Sequence, residues 1–247
     1  MEEMKRDEQT RDLYFSGDIH GDIRTLVWKL TQEYRIEDAN VVILGDIGFG
    51  GFCKKRYYDN IYKRVHNKLE KNNICLYGIA GNHDERSWFT TENNYPRFKF
   101  LQDHEVVNLS GQSIYSIYGA TSTDNEWREK YNKKSEKYGS SKRVWWNDED
   151  VVKKYKDLPN RVDIIISHCA PISFEPIATR FSGESLETYE RDLENRRYLD
   201  YVFQNVRHNY WYYGHYHDSI TGSLEGTIYK CLDIMEIYQF INPKDYE

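Results

Sequence analysis

No stretch of this 247-residue chain approaches the ~20 consecutive apolar residues that a membrane-spanning helix needs. The opening residues, MEEMKRDEQTRD, are charged and contain no apolar h-region, so they do not read as a secretory signal. Cysteine is scarce. Cys53, Cys75, Cys169 and Cys231 form no CxxC pair and no zinc-ribbon spacing. They are expected as reduced, buried thiols in a cytoplasmic protein. Positive charge is not in excess either: the formal charge is −6 and the pI about 5.8. That argues against a chain built around bulk nucleic-acid binding, while leaving room for a local basic patch. Repeats and low-complexity tracts are also lacking. The length predicts a single domain, residues 1–247, that can bury a substantial core without staples. Aromatic residues are plentiful, with 22 Tyr and 6 Trp. They can fill a core and line a surface or ligand groove.

Apolar patterning alternates between strand and helix. A short strand is predicted at Leu13–Phe15, then a helix carrying Ile23, Leu26, Val27, Leu30 and Tyr34 on one face. The run Val41-Val42-Ile43-Leu44 reads as a strand buried on both sides. Residues 48–53 form a Gly-rich loop, 56–71 an amphipathic helix, and Ile74–Ile79 another strand. This order implies βαβ units and a parallel sheet. Val106–Leu109 and Ser113–Tyr118 flank Ser110-Gly111-Gln112 as a hairpin. A polar insertion at about 124–146 has little apolar periodicity and reads as a mobile loop or lid. A helix is expected to start near Asn147, ahead of Asp148-Glu149-Asp150. Strands at Val162–Ile166 and Trp211–Tyr213, a helix over 185–206, and β-structure over 219–240 with turns at Gly222 and Gly226 complete the pattern.

Five of the predicted strands end in residue types that bind metal: Asp18/His20, Asp46, Asn82/His83, His168 and His215/His217. In α/β sheets ligands collect at the carboxyl ends of strands, so five loops distant in sequence should converge on one rim. Their O and N donors suit Mn, Fe or Zn and need no thiolate. Positions i and i+2 of an extended segment leave the chain on one side. Asp18 with His20, and His215 with His217, can therefore each present two ligands to one centre. Glycines before Asp18, Asp46, Asn82 and His215 are expected to allow sharp exits from the strands. His66, His104 and His208 lack this setting and are expected on the surface or in the core.

The set GDIHG, GD, GNHD, SH and GHYH resembles the calcineurin-like metallophosphoesterase superfamily over about residues 12–222. More narrowly, SHCAP and WYYGHYHD resemble small bacterial and phage metallophosphoesterases of unassigned substrate. The resemblance implies an α/β fold, a four-layer α/β/β/α sandwich of two mixed sheets flanked by helices, with a dinuclear site on one rim. It implies that Asp18, His20 and His217 hold one divalent metal and Asn82, His168 and His215 the other. Mn is the first choice, with Fe or Zn as alternatives. Asp46 would bridge the two and His83 would be the general acid. The implied reaction is attack by a metal-bound hydroxide on a phosphate mono- or diester, of a small or nucleotide-like substrate. Short nucleic acid, as in a metal-dependent nuclease, is a second reading. A regulatory module that keeps the fold without the chemistry is a third.

Protein-phosphatase-like members carry an Asp and an Arg three and four residues beyond the bridging Asp. Phe49 and Gly50 stand there in this sequence, which counts against a protein phosphatase. A carboxylate to orient His83 is expected from Asp84 or Asp22. A cation for the phosphate is expected from Arg86, Arg24, Arg56 or Arg143, and Asn82 is expected to touch substrate. Arg143 precedes Trp145 and Trp146, which could stack on a base. The plainer readings are packing for the Trp pair and a solvated loop for the Lys/Arg-rich 128–143 run.

Overall fold

A computed structural model describes residues 7–50, 55–138, 144, 146–174 and 185–241. The apolar runs become the centres of two mixed sheets. In the first, β1 (Asp12–Ser16), β2 (Ala39–Ile43), β3 (Cys75–Gly78) and β4 (Phe98–Phe100) run parallel. Every residue of β2 is buried, as expected of a strand covered on both faces. The second sheet contains β5 (Val106–Leu109), β6 (Gln112–Ile117), β7 (Ile164–Ser167), β8 (Tyr210–Tyr213), β9 (Ile220–Leu224) and β10 (Thr227–Cys231), in the order β5-β6-β7-β8-β10-β9. Its four middle strands are parallel, and hairpins add an antiparallel strand at each edge. Strand β11 (Ile237–Gln239) returns to the first sheet, antiparallel to β1.

The sheets pack face to face, and alternation along each strand decides which layer a side chain joins. Ile164, Ile166 and Tyr212 enter the core shared with the first sheet, where Phe15 stacks on Tyr212 at 4.2 Å. Ile165, Trp211 and Tyr213 point the other way, onto helix α4 (Leu186–Asn205) through Tyr198, Leu199 and Val202. The first sheet is covered by α1 (Ile23–Trp28) and α2 (Lys55–Lys71), which bury Ile23, Leu26, Val27, Tyr58, Ile61 and Leu69. The result is the four-layer sandwich anticipated from the sequence. Among the described residues, no helix is long and apolar enough to cross a membrane. Cys75, Cys169 and Cys231 are buried and free; Cys53 lies outside the described residues.

Several local expectations are corrected. The first helix is α-helical only to Trp28 and continues as a π turn over Lys29–Glu33. No helix starts near Asn147. The acidic run there makes tertiary bonds instead: Glu149 accepts from Ser122, and Asp150 from Thr121 and Arg191. The polar insertion contains α3 (Asn125–Lys137), a helix without an apolar stripe. Glu129 with Lys133, and Asp124 with Arg128, supply i,i+4 support in its place. Gly222 is not a turn but the middle of β9, where any Cβ would overlap the Tyr229 ring from β10. The turn is at Glu225-Gly226, both at positive φ.

Under α4, Asp192 and Arg196 are buried together, with Arg196 Nη1 3.8 Å from Asp192 Oδ2. Among the described residues neither Asp192 oxygen has a hydrogen-bond partner. Burial pushes its carboxyl up to about 6, against the pull of Arg196. The folded protein thus holds this proton more tightly than the unfolded chain. The contribution to stability is complete below the ordinary carboxylate pKa of about 4 and is lost as pH rises through about 6. Urea denaturation should therefore give a wild-type minus Asp192→Asn difference that falls between about pH 4 and about pH 7. A difference independent of pH would show that Asp192 does not hold the proton.

Candidate metal centre

The carboxyl ends of β1, β2, β3, β7 and β8 meet on one rim, and the seven expected ligand residues come together there. Asp18 is fully buried. Its Oδ1 accepts from the His215 N–H at 3.1 Å, and its Oδ2 is 3.1 Å from His217 Nε2. His20 Nε2 lies 3.1 Å from His217 Nε2, and His20 Nδ1 lies 3.9 Å from Asp46 Oδ2. Asp46, at 1% exposure, is the centre of the arrangement. Its Oδ1 is 3.3 Å from His168 Nε2 and accepts from the His83 N–H at 2.8 Å. His168 Nε2 also meets Asn82 Oδ1 at 3.0 Å, and the His215 ring packs edge-on to His168 at 5.0 Å.

Of the glycines expected to make the backbone exits, Gly45 before Asp46 takes a positive φ of 107°, whereas Gly17, Gly81 and Gly214 do not, and four of the candidate ligands make turns themselves. His20, Asp46, His215 and His217 have φ of 44°, 48°, 68° and 50°, a region that non-glycine residues enter at a cost and mostly at functional sites. Gly81 serves a different purpose: a Cβ there would overlap the Asp46 carboxylate and His168 Nε2. It keeps open the space in which two loops approach.

Electrostatics follow from this crowding. Burial opposes ionisation of Asp46, but the imidazoles of His83, His168 and His20 outweigh it and hold the carboxyl well below the usual range. Burial likewise opposes a charge on His168, yet Asp46 and Asp18 raise it to about 9. His217 is raised, chiefly by its bond to Asp18. Burial and the nearby His168 push His215 well down. Buried carboxylates converge with imidazole nitrogens: Asp18/His20/His217, His20/Asp46/His83 and Asp18/Asp46/His168 each bring three ligand atoms within 4.8 Å of one another. Such an acceptor-rich set fits divalent cations with N/O preference. His168 Nδ1 donates to Leu44 O at 2.8 Å, which turns Nε2 toward the cluster, the orientation an outer partner gives to an imidazole that can bind metal once Nε2 has lost its proton.

The surroundings depart further from expectation. Asp84 accepts from the N–H groups of Ile47, Gly48, Phe49 and Gly81, and so ties the loop after Asp46 to the loop before Asn82. Asp22 caps α1 through Thr25. Neither carboxylate is spare to orient His83. Phe49 is buried in an aromatic cluster, stacked on Tyr58 at 3.6 Å. Arg86 donates to Glu149 O and Asp150 O and pairs with Asp103, which turns its guanidinium away from the cluster. Arg143 and Trp145 lie outside the described residues; Trp146 is buried. The cation at the rim is one the sequence reading passed over. Arg128 of α3 places Nη1 and Nη2 2.5 and 3.0 Å from the two ring nitrogens of His83, while Asp124 holds its Nε at 2.5 Å. Burial, and then the Arg128 charge, push His83 down to about 4 against the pull of Asp46. Asn82 is fixed from behind: its amide donates to Ser122 Oγ at 2.9 Å, and Ser122 donates to the fully buried Glu149 at 2.6 Å. A cavity of about 340 Å³ opens between Asp46, Asn82, His83, Arg128 and His217.

A family model described as calcineurin-like phosphoesterase matches residues 12–219. Among solved structures, the phosphopantetheinyl hydrolase of Mycobacterium tuberculosis aligns at a TM-score of 0.50 and 9% identity, covering 96% of this chain and 99% of its own. That likeness bears on the fold alone. A Staphylococcus aureus protein described as a 5′-nucleotidase aligns at a TM-score of 0.42 and 13% identity, covering 91% of this chain and 48% of its own. No curated protein matches the sequence.

Replacing Asp84 by Asn exchanges one acceptor oxygen for a donor that faces backbone N–H groups. Outer partners of metal ligands typically contribute 10- to 100-fold in affinity. Mn titration by calorimetry should therefore show Asp84→Asn binding about 10-fold or more weakly, with the far-UV dichroism retained. Wild-type affinity in the folded variant would mean that the clamp does not position the ligands.

Proposed function

The chain belongs to the calcineurin-like phosphoesterase family and is a metal-dependent phosphoester hydrolase; on that premise we propose that it cleaves a phosphate mono- or diester of a small or nucleotide-like substrate at a two-metal centre. In this reading Asp18, His20 and His217 would hold one cation and Asn82, His168 and His215 the other, with Asp46 as a ligand shared between the two sets. When bound, two such cations acidify an attacking water and neutralise charge on the phosphoryl oxygens. The donors suit Mn, with Fe or Zn as alternatives.

The observation that carries the reading is Arg128. Its guanidinium lies directly against the His83 ring, in the lining of the cavity that also contains Asp46 and Asn82, and so supplies the cation that Phe49 and Gly50 do not. A phosphate seated there would accept from the guanidinium, whose Nε side is already held by Asp124. Asn82, fixed by Ser122, keeps its amide oxygen toward His168. His83 lies on the leaving-group side in this reading. Its ring is neutral beside Arg128, and an anionic phosphate that drew the guanidinium to itself would offset that charge and let the ring carry a proton for the departing alkoxide.

Purified protein supplied with Mn should hydrolyse an aryl phosphate or a bis-aryl phosphate. Asp46→Asn should lower kcat/KM by about 10³-fold or more, equivalent to ~4 kcal/mol of transition-state stabilisation. Near-normal turnover in that variant would sink the two-metal reading. Arg128→Ala should cost about 10²-fold, as loss of one preorganised charge donor does, and Arg128→Lys should recover part of it. Full activity in Arg128→Ala would show that the phosphate is gripped elsewhere.

A further inference from the structure

Beside His20 a groove of about 960 Å³ is lined by residues of α1 and α2. It begins at the GDIHG loop, where the Tyr57 hydroxyl donates to Gly21 O at 3.4 Å. One face of α2 lines it with Tyr57, Arg64 and Lys68, and α1 adds Arg24 and Trp28. Tyr57 and Lys68 are eleven residues apart on one helix, so the groove extends for about 16 Å. Trp28 and Tyr57 are 50% and 43% exposed, so each offers ring surface to a ligand in the groove.

The charge is one-sided. Among the described residues Asp22 is the only acid lining the groove, and both its oxygens are engaged with Thr25. Among the described residues Arg24, Arg64 and Lys68 form no ion pair. Three cations without an ion pair among the described residues, with two half-exposed aromatic rings beside them, in a chain of net charge −6, are a local exception to the protein's overall acidity. Cations that track phosphates, interleaved with rings that stack on bases, are the features that recognise unpaired nucleotides.

We propose that this groove binds the part of the substrate beyond the scissile phosphate, and that this part is a nucleotide carrying further phosphates. Arg24, Arg64 and Lys68 contact those phosphates, and Trp28 or Tyr57 stacks on the base. The proposal rests on the phosphoester reading only for the place of the scissile bond. Two sources share this chemistry: a dinucleoside polyphosphate and a short single-stranded oligonucleotide.

Binding without turnover tests it. Fluorescence anisotropy would follow a labelled dinucleoside tetraphosphate and a labelled tetranucleotide on the full-length protein in EDTA. Single strands lose affinity with a log–log salt slope of about −0.7 per phosphate neutralised, so three cations predict a slope near −2. The double variant Arg64→Gln/Lys68→Gln should reduce this to about −0.7. Trp28→Ala should weaken both nucleotide probes about 5-fold or more and leave competition by inorganic tripolyphosphate unchanged. Binding of the tetraphosphate alone identifies the small-molecule source, and binding of the tetranucleotide alone the nucleic-acid one. With Mn, the ratio of kcat/KM for the bound probe to that for an aryl phosphate should fall about 10-fold in the double variant. No binding of either probe, or an unchanged salt slope in the double variant, overturns the proposal. Salt-dependent binding by a protein that cleaves no phosphoester would instead overturn the hydrolytic reading and leave the groove standing.

Discussion

A carboxylate deprived of water governs this structure. Asp46 is ionised at 1% exposure, and an isolated buried charge of that kind is costly unless it is paired and hydrogen-bonded. The compensation comes from several directions: the His83 N–H, the His168 imidazole, and the nearby rings of His20 and His83. Each has to approach closely, and the local geometry follows from that. Asp46 itself takes a positive φ, Gly81 has no room for a side chain, and Asp84 gathers four main-chain N–H groups to keep the two loops in place.

Around this centre the two sheets contribute differently. The first sheet provides Asp18, His20, Asp46 and Asn82; the second provides His168, His215 and His217. Phe15 against Tyr212 shows how directly the sheet interface lies beneath them. The groups proposed to act on substrate come from less regular places. Arg128 projects from a helix whose other contacts are mostly polar, and Asn82 is oriented by a chain through Ser122 and Glu149 that joins three separate loops. The candidate ligand cluster is thus built into the sandwich, whereas the surroundings proposed to face phosphate are supplied by segments added at its rim.

This division also explains what could be read from the sequence. The candidate ligands were legible because each follows a short apolar run, and a run buried on both faces of a parallel sheet looks the same wherever it occurs. The helices over 56–71 and 185–206 were legible from their patterning. Arg128 was not, because α3 is held by i,i+4 charge pairs and has no apolar face to betray its orientation. The Asp148-Glu149-Asp150 run carried a local helix-start signature, but Ser122, Thr121 and Arg191 offered its carboxylates tertiary partners. Gly222 read as a turn because the ring of Tyr229, which excludes any side chain there, lies on the neighbouring strand. In each case the deciding contact is remote in sequence. The left-handed turns at His20, Asp46, His215 and His217 belong to the same class, since their residue types do not announce a positive φ.

The return of β11 to the edge of β1 bears on how the chain reaches this state. Residues 237–239 complete a sheet whose other strands all lie before residue 101, and the rim above that sheet needs residues as late as 217. A chain emerging from a ribosome can bury much of β1 to β4 early, but it holds an open sheet edge, and Asp18 and Asp46 lack the imidazoles of His217 and His168, until the second half has folded against it. Pairings so distant in sequence form slowly, and an uncovered edge invites association with other chains in the meantime. Cations captured at the completed rim would then act late, drawing an already collapsed sandwich shut rather than nucleating it.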